Sequence, residues 1–543
     1  MAGAASLIPV RDDTRQVSAT CAPVGRAASS LFPARARACA IAALVTLFLA
    51  ACAPASRGAG TARAGPVSDT VATTPPPGPQ LVIDVPHDSR AIEAIVREGR
   101  ERSHVEEDLW FLTDVIGPRL TGSAALRRAS EWTAEKFREY GADSTWLEAW
   151  RFAPTWQRGT MTLWLIAPHR RPLVGFSMGW APGTPGEMTG EVVYVDAKTT
   201  AEFEERFGGR LAGDWVMTTP YIPLPNPDAG PITRRDSVVL DSLRRIMYAP
   251  PENPAERGFR DSLALYLVEE GIGGRITSGA KEFGLLTMSG SPLGIQPYPW
   301  IVIPDGTYSQ FHRLLAGGME VRIEVDVNNR ISADSVLAYN TVAEIHGSER
   351  PAEVVLLGAH LDSWDLATGA TDNAAGSIAV LEAARILAAS DVRPKRTIRF
   401  VLFTGEEQGL FGSRLYAEQH APELGRFQAV LVLDNGTGRI TGMSLQGRDD
   451  LRLLWEQIFA PISRIGPFEF LSRRKGGTDH LPFIRYGVPS FNFDQLSRGY
   501  DHTHHSQVDN FDHAVVGDIT QAATVMAATA YQLANLPILL PRN

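Results

Sequence analysis

The residues with the clearest chemical potential lie in the second half of this 543-residue chain, in short clusters of acidic and imidazole side chains. Imidazole nitrogens and carboxylate oxygens are ligands of zinc and of similar divalent ions. Each cluster by itself is also typical of a polar loop or of the first turn of a helix. A metal site is predicted only if the fold brings the clusters together. Their members are His360, Asp362, Asp372, Glu406, Glu407, Asp434, His502, His504 and His505.

The distribution of cysteine limits which ligands such a site can use. The three cysteines are Cys21, Cys39 and Cys52, so the chain has no thiol after residue 52. Any metal bound in the second half is therefore held by His, Asp and Glu, which suits zinc or another divalent ion. The same part of the chain can form no internal disulfide.

Apolar runs typical of buried strands precede three of the clusters. These runs span 354–359, 397–403 and 429–433, and a helical pattern covers 374–389. Strands that alternate with helices predict an α/β fold, in which a mixed, mostly parallel sheet is flanked by helices. In such sheets, ligands bind beyond the carboxyl ends of the strands.

The candidate ligands follow these strands closely. His360, the pair Glu406 and Glu407, and Asp434 each come just after one of the three runs, and Asp372 lies in the turn between the first run and its helix. Because the carboxyl ends of parallel strands meet at one edge of a sheet, we expect these side chains to converge there.

The motifs around these residues resemble the co-catalytic zinc exopeptidase family, which includes bacterial leucyl aminopeptidases, glutamate carboxypeptidase II and carboxypeptidase Q. The resemblance covers roughly residues 90–540. Further segments are most similar to the carboxypeptidase Q branch, namely IGPRLTGS (116–123), WQRG (156–159), SWD (363–365), GTD (477–479) and HHS (504–506). The five ordered family motifs are GAHLDSWD (358–365), GATDN (369–373), TGEEQG (404–409), DNG (434–436) and HSQVD (505–509).

The resemblance implies how two zinc ions are held. Asp372 is expected to bridge the two ions, with His360 and Asp434 completing one site and Glu407 and His505 completing the other. His505 has rivals in His502 and His504, and the four-residue step to the aspartate at 509 favours it. Another divalent metal is the alternative to zinc.

The resemblance also implies two catalytic roles that are not metal ligation. Glu406 is expected to act as the general base, which takes a proton from water and passes it to the leaving amine. Asp362 is expected to accept the second imidazole proton of His360 and so to fix its tautomer. The peptide bond after Asp372 is cis in this family. His480 and Tyr500 are further candidates for contact with the substrate.

The implied activity is hydrolysis of dipeptides or short peptides at a terminus, either as an aminopeptidase or as a carboxypeptidase Q-like dipeptidase. A free carboxylate on the substrate would need Arg or Lys, and Arg473, Arg474 and Lys475 lie near the site in sequence. Two alternatives share the fold, a glutaminyl cyclase with a single zinc and a non-enzymatic, receptor-like binding protein. Retention of all five candidate ligands argues against both.

Composition shifts divide the chain into regions. Residues 86–160 and 331–543 are expected to form the catalytic domain. Residues 161–330, with short strand candidates among many Gly and Pro residues, are expected to form an inserted β-rich domain with a surface insertion over 220–257. The resemblance identifies this insert as a protease-associated domain.

The N-terminus predicts export. Arg35 and Arg37 precede an apolar run over 38–51, which makes 1–52 a candidate signal peptide, and the composition of 53–85 is typical of a flexible linker. The sequence LAAC ending at Cys52 resembles the bacterial lipobox, so a lipid on Cys52 and a location in the periplasm or cell envelope are expected. A plain signal peptide and an uncleaved anchor are the alternatives.

Charge restricts the partners. The formal net charge is −9, and no basic run interleaved with aromatic residues occurs, which argues against a nucleic-acid partner. The expected partner is a peptide substrate, with membrane contact only through the lipid on Cys52. A homodimer is left open.

Overall fold

The computed structural model of the protein describes residues 80–221 and 253–542. The predicted signal peptide with Cys52, most of the predicted linker and most of the insertion expected over 220–257 lie outside these residues. The end of the predicted linker contacts the folded domain, because the Leu81 N–H donates to the carbonyl of Asp450 at 2.8 Å and Val85 is buried. Folded structure thus begins before residue 86.

Most strands of the described residues belong to two eight-stranded sheets. Numbered along the chain, the strands are β1 (Ser144–Phe152), β2 (Thr155–Gln157), β3 (Met161–Ala167), β4 (Arg171–Pro172), β5 (Phe176–Ser177), β6 (Met188–Tyr194), β7 (Trp215–Met217), β8 (Gly274–Ser278), β9 (Trp300–Ile303), β10 (Arg322–Val327), β11 (Arg330–Ser332), β12 (Val336–Ile345), β13 (Arg350–His360), β14 (Arg396–Phe403), β15 (Phe427–Val432), β16 (Ile440–Ser444), β17 (Glu469–Leu471) and β18 (Ser490–Gln495).

The helices alternate with these strands in the C-terminal half, as the sequence predicts. They are α1 (Ser89–Glu101), α2 (Val105–Trp110), α3 (Ala124–Glu139), α4 (Thr200–Phe207), α5 (Pro254–Glu270), α6 (Asp305–Ala316), α7 (Ala375–Ala389), α8 (Phe411–Gln419), α9 (Arg452–Phe459), α10 (Leu481–Ile484), α11 (Tyr500–Thr503) and α12 (Val516–Asn535).

The main sheet has the strand order β1-β12-β14-β13-β15-β18-β16-β17. Its centre is parallel, since β13 pairs in parallel with β14 and β15, and β15 pairs in parallel with β18. Antiparallel pairs flank this centre, with β1–β12 and β12–β14 on one side and β16–β18 on the other. The predicted mixed, mostly parallel α/β sheet is therefore confirmed.

Strand β13 shows how the main sheet is buried on both faces. Its alternating side chains enter two apolar layers. Val355 and Leu357 join the core formed with α1, α2, α3, α7 and α12, whereas Val354 and Leu356 join the core formed with α8 and α10. Burial on both faces explains why the sequence of this strand contains a continuous apolar run.

Helix α7 is packed closely behind the site. Its residues from Ala375 to Leu387 are buried all round, and its small side chains allow a close approach to the sheet. At Gly376, an added Cβ would meet the carbonyl oxygen of Leu433 at 2.5 Å. The start of α7 is therefore held against the chain between β15 and Asp434.

The second sheet has the order β4-β3-β10-β6-β7-β8-β9-β5, in which the strands from β6 to β9 are parallel to one another. Antiparallel strands flank this group, since β10 pairs with β6 and β5 pairs with β9. The chain enters this sheet after β2 and leaves it before β11, and these two short strands pair with each other. Helix α5 begins at Pro254, where the side chain of Asn253 accepts the N–H of Ala255. The assignment of residues 161–330 to a protease-associated insert stays a prediction.

None of the helices in the described part of the chain combines the length and the apolar composition that a membrane crossing needs.

Candidate metal centre

The fold brings the predicted residues to one edge of the main sheet. His360 is the last residue of β13 and pairs in register with Phe403, the last residue of β14. Glu406 and Glu407 follow β14, and Asp434 follows β15. The three parallel strands thus deliver these side chains to their common carboxyl edge.

The carboxylate of Asp372 lies between two groups of candidate ligands. Its Oδ1 is 3.3 Å from Nε2 of His360, and the same nitrogen is 3.3 Å from Oδ1 of Asp434. Its Oδ2 is 3.5 Å from Nε2 of His505, and that nitrogen is 2.9 Å from Oε2 of Glu407. The two oxygens therefore face different groups, which is the arrangement that a bridging carboxylate needs.

His504 also reaches the second group. Its Nε2 is 3.7 Å from Oδ2 of Asp372, and its ring stacks on that of His505 with centroids 3.7 Å apart. The side chain of His504 is 43% exposed, compared with 21% for His505, and it makes no contact with Glu407 like that of His505. These differences favour His505 as the ligand, while His502 is exposed outside both groups.

Unsatisfied polar atoms test whether this centre fits a metal. Among the described residues, the buried atoms His360 Nε2, Asp372 Oδ2 and Glu407 Oε1 have no hydrogen-bond partner. Buried polar atoms are nearly always satisfied in folded proteins, so such a cluster at one point needs a partner that is not a protein atom. Imidazole and carboxylate donors are those that zinc prefers when thiolates are absent. The residues present therefore fit zinc.

Asp362 is buried beside the centre, where its backbone carbonyl and its carboxylate contact different groups. Nδ1 of His360 lies 3.0 Å from the backbone carbonyl of Asp362 and 3.6 Å from its carboxylate. The carboxylate also accepts the backbone N–H groups of Glu406 at 3.3 Å and Glu407 at 3.2 Å, and the hydroxyl of Thr121 at 3.0 Å. Asp362 thus orients His360 through its backbone and the two glutamates through its side chain.

Asp509 holds the turn that carries the central aspartate. Its Oδ1 accepts the N–H of Thr371 at 2.6 Å, and its Oδ2 accepts the N–H of Asp372 at 3.0 Å. The peptide bond between Asp372 and Asn373 is cis, as the family resemblance implies. Asn373 in turn donates to the carbonyl of Leu433 at 2.9 Å. The backbone on both sides of Asp372 is therefore fixed by side chains.

Arg119 has a buried guanidinium that binds backbone carbonyls of the loop after β13. It donates to the carbonyls of Leu361 at 2.7 Å, Thr368 at 2.7 Å and Gly369 at 2.8 Å. Burial lowers its pKa to about 10, which leaves it charged at neutral pH. The guanidinium thus ties together the backbone on both sides of the segment that separates His360 from Asp372.

Burial shifts the pKa values of the acidic residues. Desolvation raises the pKa of Glu406 well above its ordinary value, and the charge of Asp434 adds to this. Desolvation and the charge of Asp372 raise the pKa of Glu407 in the same way. Burial would also raise the pKa of Asp372, but the nearby imidazoles of His360, His505 and His504 together outweigh burial and the pKa falls. A carboxyl group with a raised pKa can exchange a proton nearer neutral pH.

A cleft of about 520 Å³ opens over the centre. Tyr500 lines it and packs against Gly436, where an added Cβ would meet the tyrosine ring at 2.8 Å. His480, the other predicted substrate contact, is fully buried outside the lining, and burial lowers its pKa to about 4. The lining includes Asp372, Glu406, Glu407, Gln408, Asp434, Asn435, Gly476, Gly477, Tyr500, His504 and His505.

A loop of the second sheet region supports the histidine segment. The Met288 N–H donates to the carbonyl of His505 at 2.8 Å, and the Leu286 N–H donates to Oε1 of Gln507 at 2.9 Å. The ammonium group of Lys281 donates to the carbonyls of His502, at 3.4 Å, and His504. Residues well before β12 therefore help to position a candidate ligand that follows β18.

Sequence reasoning did not assign roles to Arg119, Thr121 or Asp509, or to the loop contacts of Lys281. Arg119 and Thr121 lie in the turn segment 116–123, and Asp509 ends the HSQVD motif, so these motifs could have indicated the three residues. The contacts of Lys281 cross between the two sheets, and no local pattern reports such a contact.

Known proteins are similar to this chain in sequence and in fold. Residues 340–530 match the model of peptidase family M28. Carboxypeptidase Q of Bos taurus is 30% identical over 448 residues, which cover 82% of this chain and 88% of the relative. The crystal structure of a peptidase M28 precursor from Shewanella amazonensis matches with a TM-score of 0.67 at 25% identity, covering 84% of this chain and 98% of that one.

The structure of a zinc aminopeptidase from Bacillus subtilis also matches in fold, with a TM-score of 0.55 at 20% identity over 79% of this chain and 93% of that one. The similarity to the bovine relative extends over most of both chains, far beyond the ligand motifs. The candidate metal centre lies within the segment that the family model matches. The chain therefore belongs to peptidase family M28 and is a zinc metallo-exopeptidase.

Proposed function

We propose that this exopeptidase hydrolyses dipeptides or short peptides at a terminus and that it uses two zinc ions. His360, Asp372 and Asp434 would hold one ion, and Asp372, Glu407 and His505 would hold the other. The observation that carries this proposal is the position of Asp372, whose two carboxylate oxygens face the two groups separately. The unsatisfied buried atoms in both groups support it.

Bound zinc ions supply Lewis-acid polarisation of a carbonyl group and increase the acidity of water. The protein residues supply the positioning. Asp509 and Arg119 fix the backbone around Asp372, and the carboxylate of Asp362 fixes the backbone N–H groups of Glu406 and Glu407. Fixed ligands favour catalysis because little reorganisation is then needed during the reaction.

Glu406 is the proposed general base. Its side chain lines the cleft, and it has no contact with the candidate ligands like those that Glu407 makes with His505. Its raised pKa suits a group that takes a proton from water and returns it to the leaving amine. The same cleft, at about 520 Å³, has the size of a site for a small ligand such as a short peptide.

The terminus that is held distinguishes two forms of this activity. The relatives include proteins named carboxypeptidase Q and a protein named aminopeptidase, so the names alone support either form. Dipeptides blocked at the amino or at the carboxyl terminus separate them. An aminopeptidase fails on the N-blocked substrate only, whereas a dipeptidase fails on both.

The test is hydrolysis of unblocked dipeptides by the purified zinc-loaded protein, compared with Glu406→Gln. We expect the variant to lose at least about 100-fold in kcat while it keeps the zinc content of the wild type, because proton transfer contributes 10²–10⁴-fold. Full activity of Glu406→Gln would exclude the proposed base. Zinc content near one equivalent in the wild type would instead favour the single-zinc cyclase alternative.

We also propose that the chain is exported and carries a lipid on Cys52, on the basis of the sequence at 35–52. The Cys52→Ala variant should then move from the membrane fraction to the soluble fraction of the periplasm. A wild-type protein that is already soluble would favour a plain signal peptide.

A further inference from the structure

A second cavity adjoins the cleft over the metal centre. It has a volume of about 800 Å³ and is lined by four cationic side chains, Arg448, Arg474, Lys475 and Arg542. Asp450 is the one acidic residue of its lining among the described residues. We call this cavity the basic pocket. Its excess of positive charge contrasts with the net charge of −9 of the whole chain.

Two of the four cations are already paired. Arg448 makes a two-point contact with Asp450, with its Nε at 2.9 Å from one oxygen and its Nη2 at 2.8 Å from the other. Lys475 lies 3.4 Å from Asp494, whose carboxylate also accepts Arg473 at 2.7 Å. These contacts fix part of the wall of the pocket. Because the carboxylates neutralise Arg448 and Lys475, these two residues offer little positive charge to a ligand.

The other two cations lack an acidic partner within the described residues. Arg474 is exposed, lines the pocket and makes no ion pair with any described residue. Arg542 donates through Nη2 to the carbonyl of Gly425 at 2.5 Å, but its Nη1 is buried and has no hydrogen-bond partner among the described residues. Burial without a compensating carboxylate lowers the pKa of Arg542. A guanidinium fork of this kind matches the geometry of a carboxylate.

The basic pocket and the cleft share a wall. Gly476 lines both cavities, and it directly follows Arg474 and Lys475 in the chain. Both positions, Gly476 and Gly477, lack a side chain that would separate the two spaces, and nothing lies within 4 Å of an added Cβ at either of them. A peptide bound at the metal centre can therefore extend towards the basic pocket past Gly476.

We propose that the basic pocket is a carboxylate-binding subsite for the peptide substrate, with Arg474 and Arg542 as its ligand-binding residues. This inference rests on the proposed peptidase function and adds a substrate class, namely peptides that carry a free carboxylate beyond the bond that is cut. The carboxylate comes either from the C-terminus of the peptide or from an acidic side chain. A C-terminal carboxylate and an acidic side chain carry the same charge, so the test uses substrates that differ in which of the two they carry.

The test uses four tripeptides with the zinc-loaded full-length protein, namely Ala-Ala-Glu, Ala-Ala-Gln and the C-terminal amides of both. The variants are Arg474→Gln, Arg542→Gln and the double variant. The matched control is Arg485→Gln, which removes the same charge from an exposed arginine outside the lining of both cavities. Thermal unfolding of each variant verifies that it is folded.

We expect the preference for carboxylate-bearing peptides, measured as a ratio of kcat/KM values, to fall about 3–5-fold in each single variant and about 10-fold in the double variant, as for partly exposed ion pairs. The ratio should stay unchanged in Arg485→Gln, and added salt should reduce it in the wild type. A fall in the acid-to-amide ratio identifies the terminal carboxylate as the source, and a fall in the Glu-to-Gln ratio identifies the side chain.

Wild-type ratios near one, or ratios that do not change in the double variant, would overturn the proposal. A failure of the proposed function is distinguishable, because the wild type would then cut neither the unblocked dipeptides nor any of the four tripeptides. In that case, binding of N-terminally labelled Ala-Ala-Glu to the zinc-loaded protein, measured by fluorescence anisotropy, still tests the pocket. Equal affinity of the wild type and the double variant for this peptide would exclude it.

Discussion

The carboxylate of Asp509 accepts the backbone N–H of Asp372 at 3.0 Å, so one acidic residue holds another at the point where two groups of candidate ligands meet. The second oxygen of Asp509 accepts the N–H of Thr371 at 2.6 Å. Burial raises the pKa of Asp509 to about 7, and the charge of Asp372 adds to this rise. The contact between the two residues is therefore sensitive to the charge that the centre holds.

We predict that Asp509→Ala weakens zinc binding by about 10–100-fold, the usual effect of removing a residue that orients a metal ligand. The physical reason is that the N–H groups of Thr371 and Asp372 lose their acceptor and the turn loses its fixed position. Competition with a chelator measures the affinity. Asp512→Asn, an exposed aspartate in the same segment, is the control and should bind zinc like the wild type.

The main sheet could be predicted from the sequence because its central strands are continuous apolar runs with polar residues at their ends. The same logic indicated that His360, Glu406 and Asp434 lie at one edge, since parallel strands of one sheet share a carboxyl edge. What the sequence could not predict is the direction of each polar side chain. The carboxylate of Asp362 accepts the backbone N–H of Glu406, and Nδ1 of His360 lies closer to the backbone carbonyl of Asp362, at 3.0 Å, than to its carboxylate, at 3.6 Å.

Contacts between distant segments were also beyond sequence patterns. Arg119 lies 242 positions before Leu361, one of the residues whose carbonyl it binds. Lys281 and His504 are separated by 223 residues. Neither contact could be predicted from a helix or strand period or from a local spacing in the sequence. The turn motif around Arg119 indicated that this segment matters, but it did not indicate which groups Arg119 binds.

We predict that Arg119→Met lowers the free energy of unfolding by about 3 kcal/mol, because at least two buried carbonyls lose a charged donor. Arg119→Lys should not restore stability, since an ammonium group cannot reach three carbonyls in the geometry of the guanidinium. Urea unfolding at saturating zinc measures both. The exposed Arg128, which donates to one carbonyl at 3.3 Å, provides the control variant Arg128→Met, which should stay within about 0.5 kcal/mol of the wild type.

The Glu407 carboxylate provides a test of the number of ions. Glu407 contacts His505 at 2.9 Å and has a buried oxygen without a hydrogen-bond partner in the described part of the chain, whereas His360 and Asp434 belong to the other group. We therefore expect Glu407→Gln to retain about one zinc equivalent fewer than the wild type, as measured by elemental analysis after dialysis, because a neutral amide is a poorer ligand than a carboxylate. An unchanged zinc content in this variant would contradict the assignment of Glu407.

His420 should make stability depend on pH. Its Nδ1 is 2.6 Å from Glu423 and its Nε2 is 3.0 Å from Glu148, while Tyr416 stacks on its ring and Arg399 also contacts Glu423. Burial would lower the pKa of His420, but the hydrogen bonds and charges of Glu148 and Glu423 outweigh burial and raise it.

Because the folded pKa of His420 is raised, its stabilisation is fully present below the unfolded value of about 6.5 and is lost as pH rises through the folded value. We expect the difference in Tm between the wild type and His420→Gln to be largest near pH 6 and to shrink as the pH rises. Calorimetry across this range measures it. The more exposed His346, at 53%, gives the control His346→Gln, which should show a much weaker dependence.

Lys281 links the second sheet region to the candidate metal centre, since its ammonium group donates to the backbone carbonyls of His502 and His504. We predict that Lys281→Met weakens zinc binding by about 10-fold, because the segment that carries His505 loses a charged contact and becomes less fixed. Chelator competition measures the affinity, and Lys198→Met, an exposed lysine of the same region, should leave it unchanged. If Lys281→Met bound zinc as tightly as the wild type, the N–H of Met288, which donates to His505 at 2.8 Å, would be sufficient to hold the segment. The second sheet would then contribute to the centre through its backbone alone.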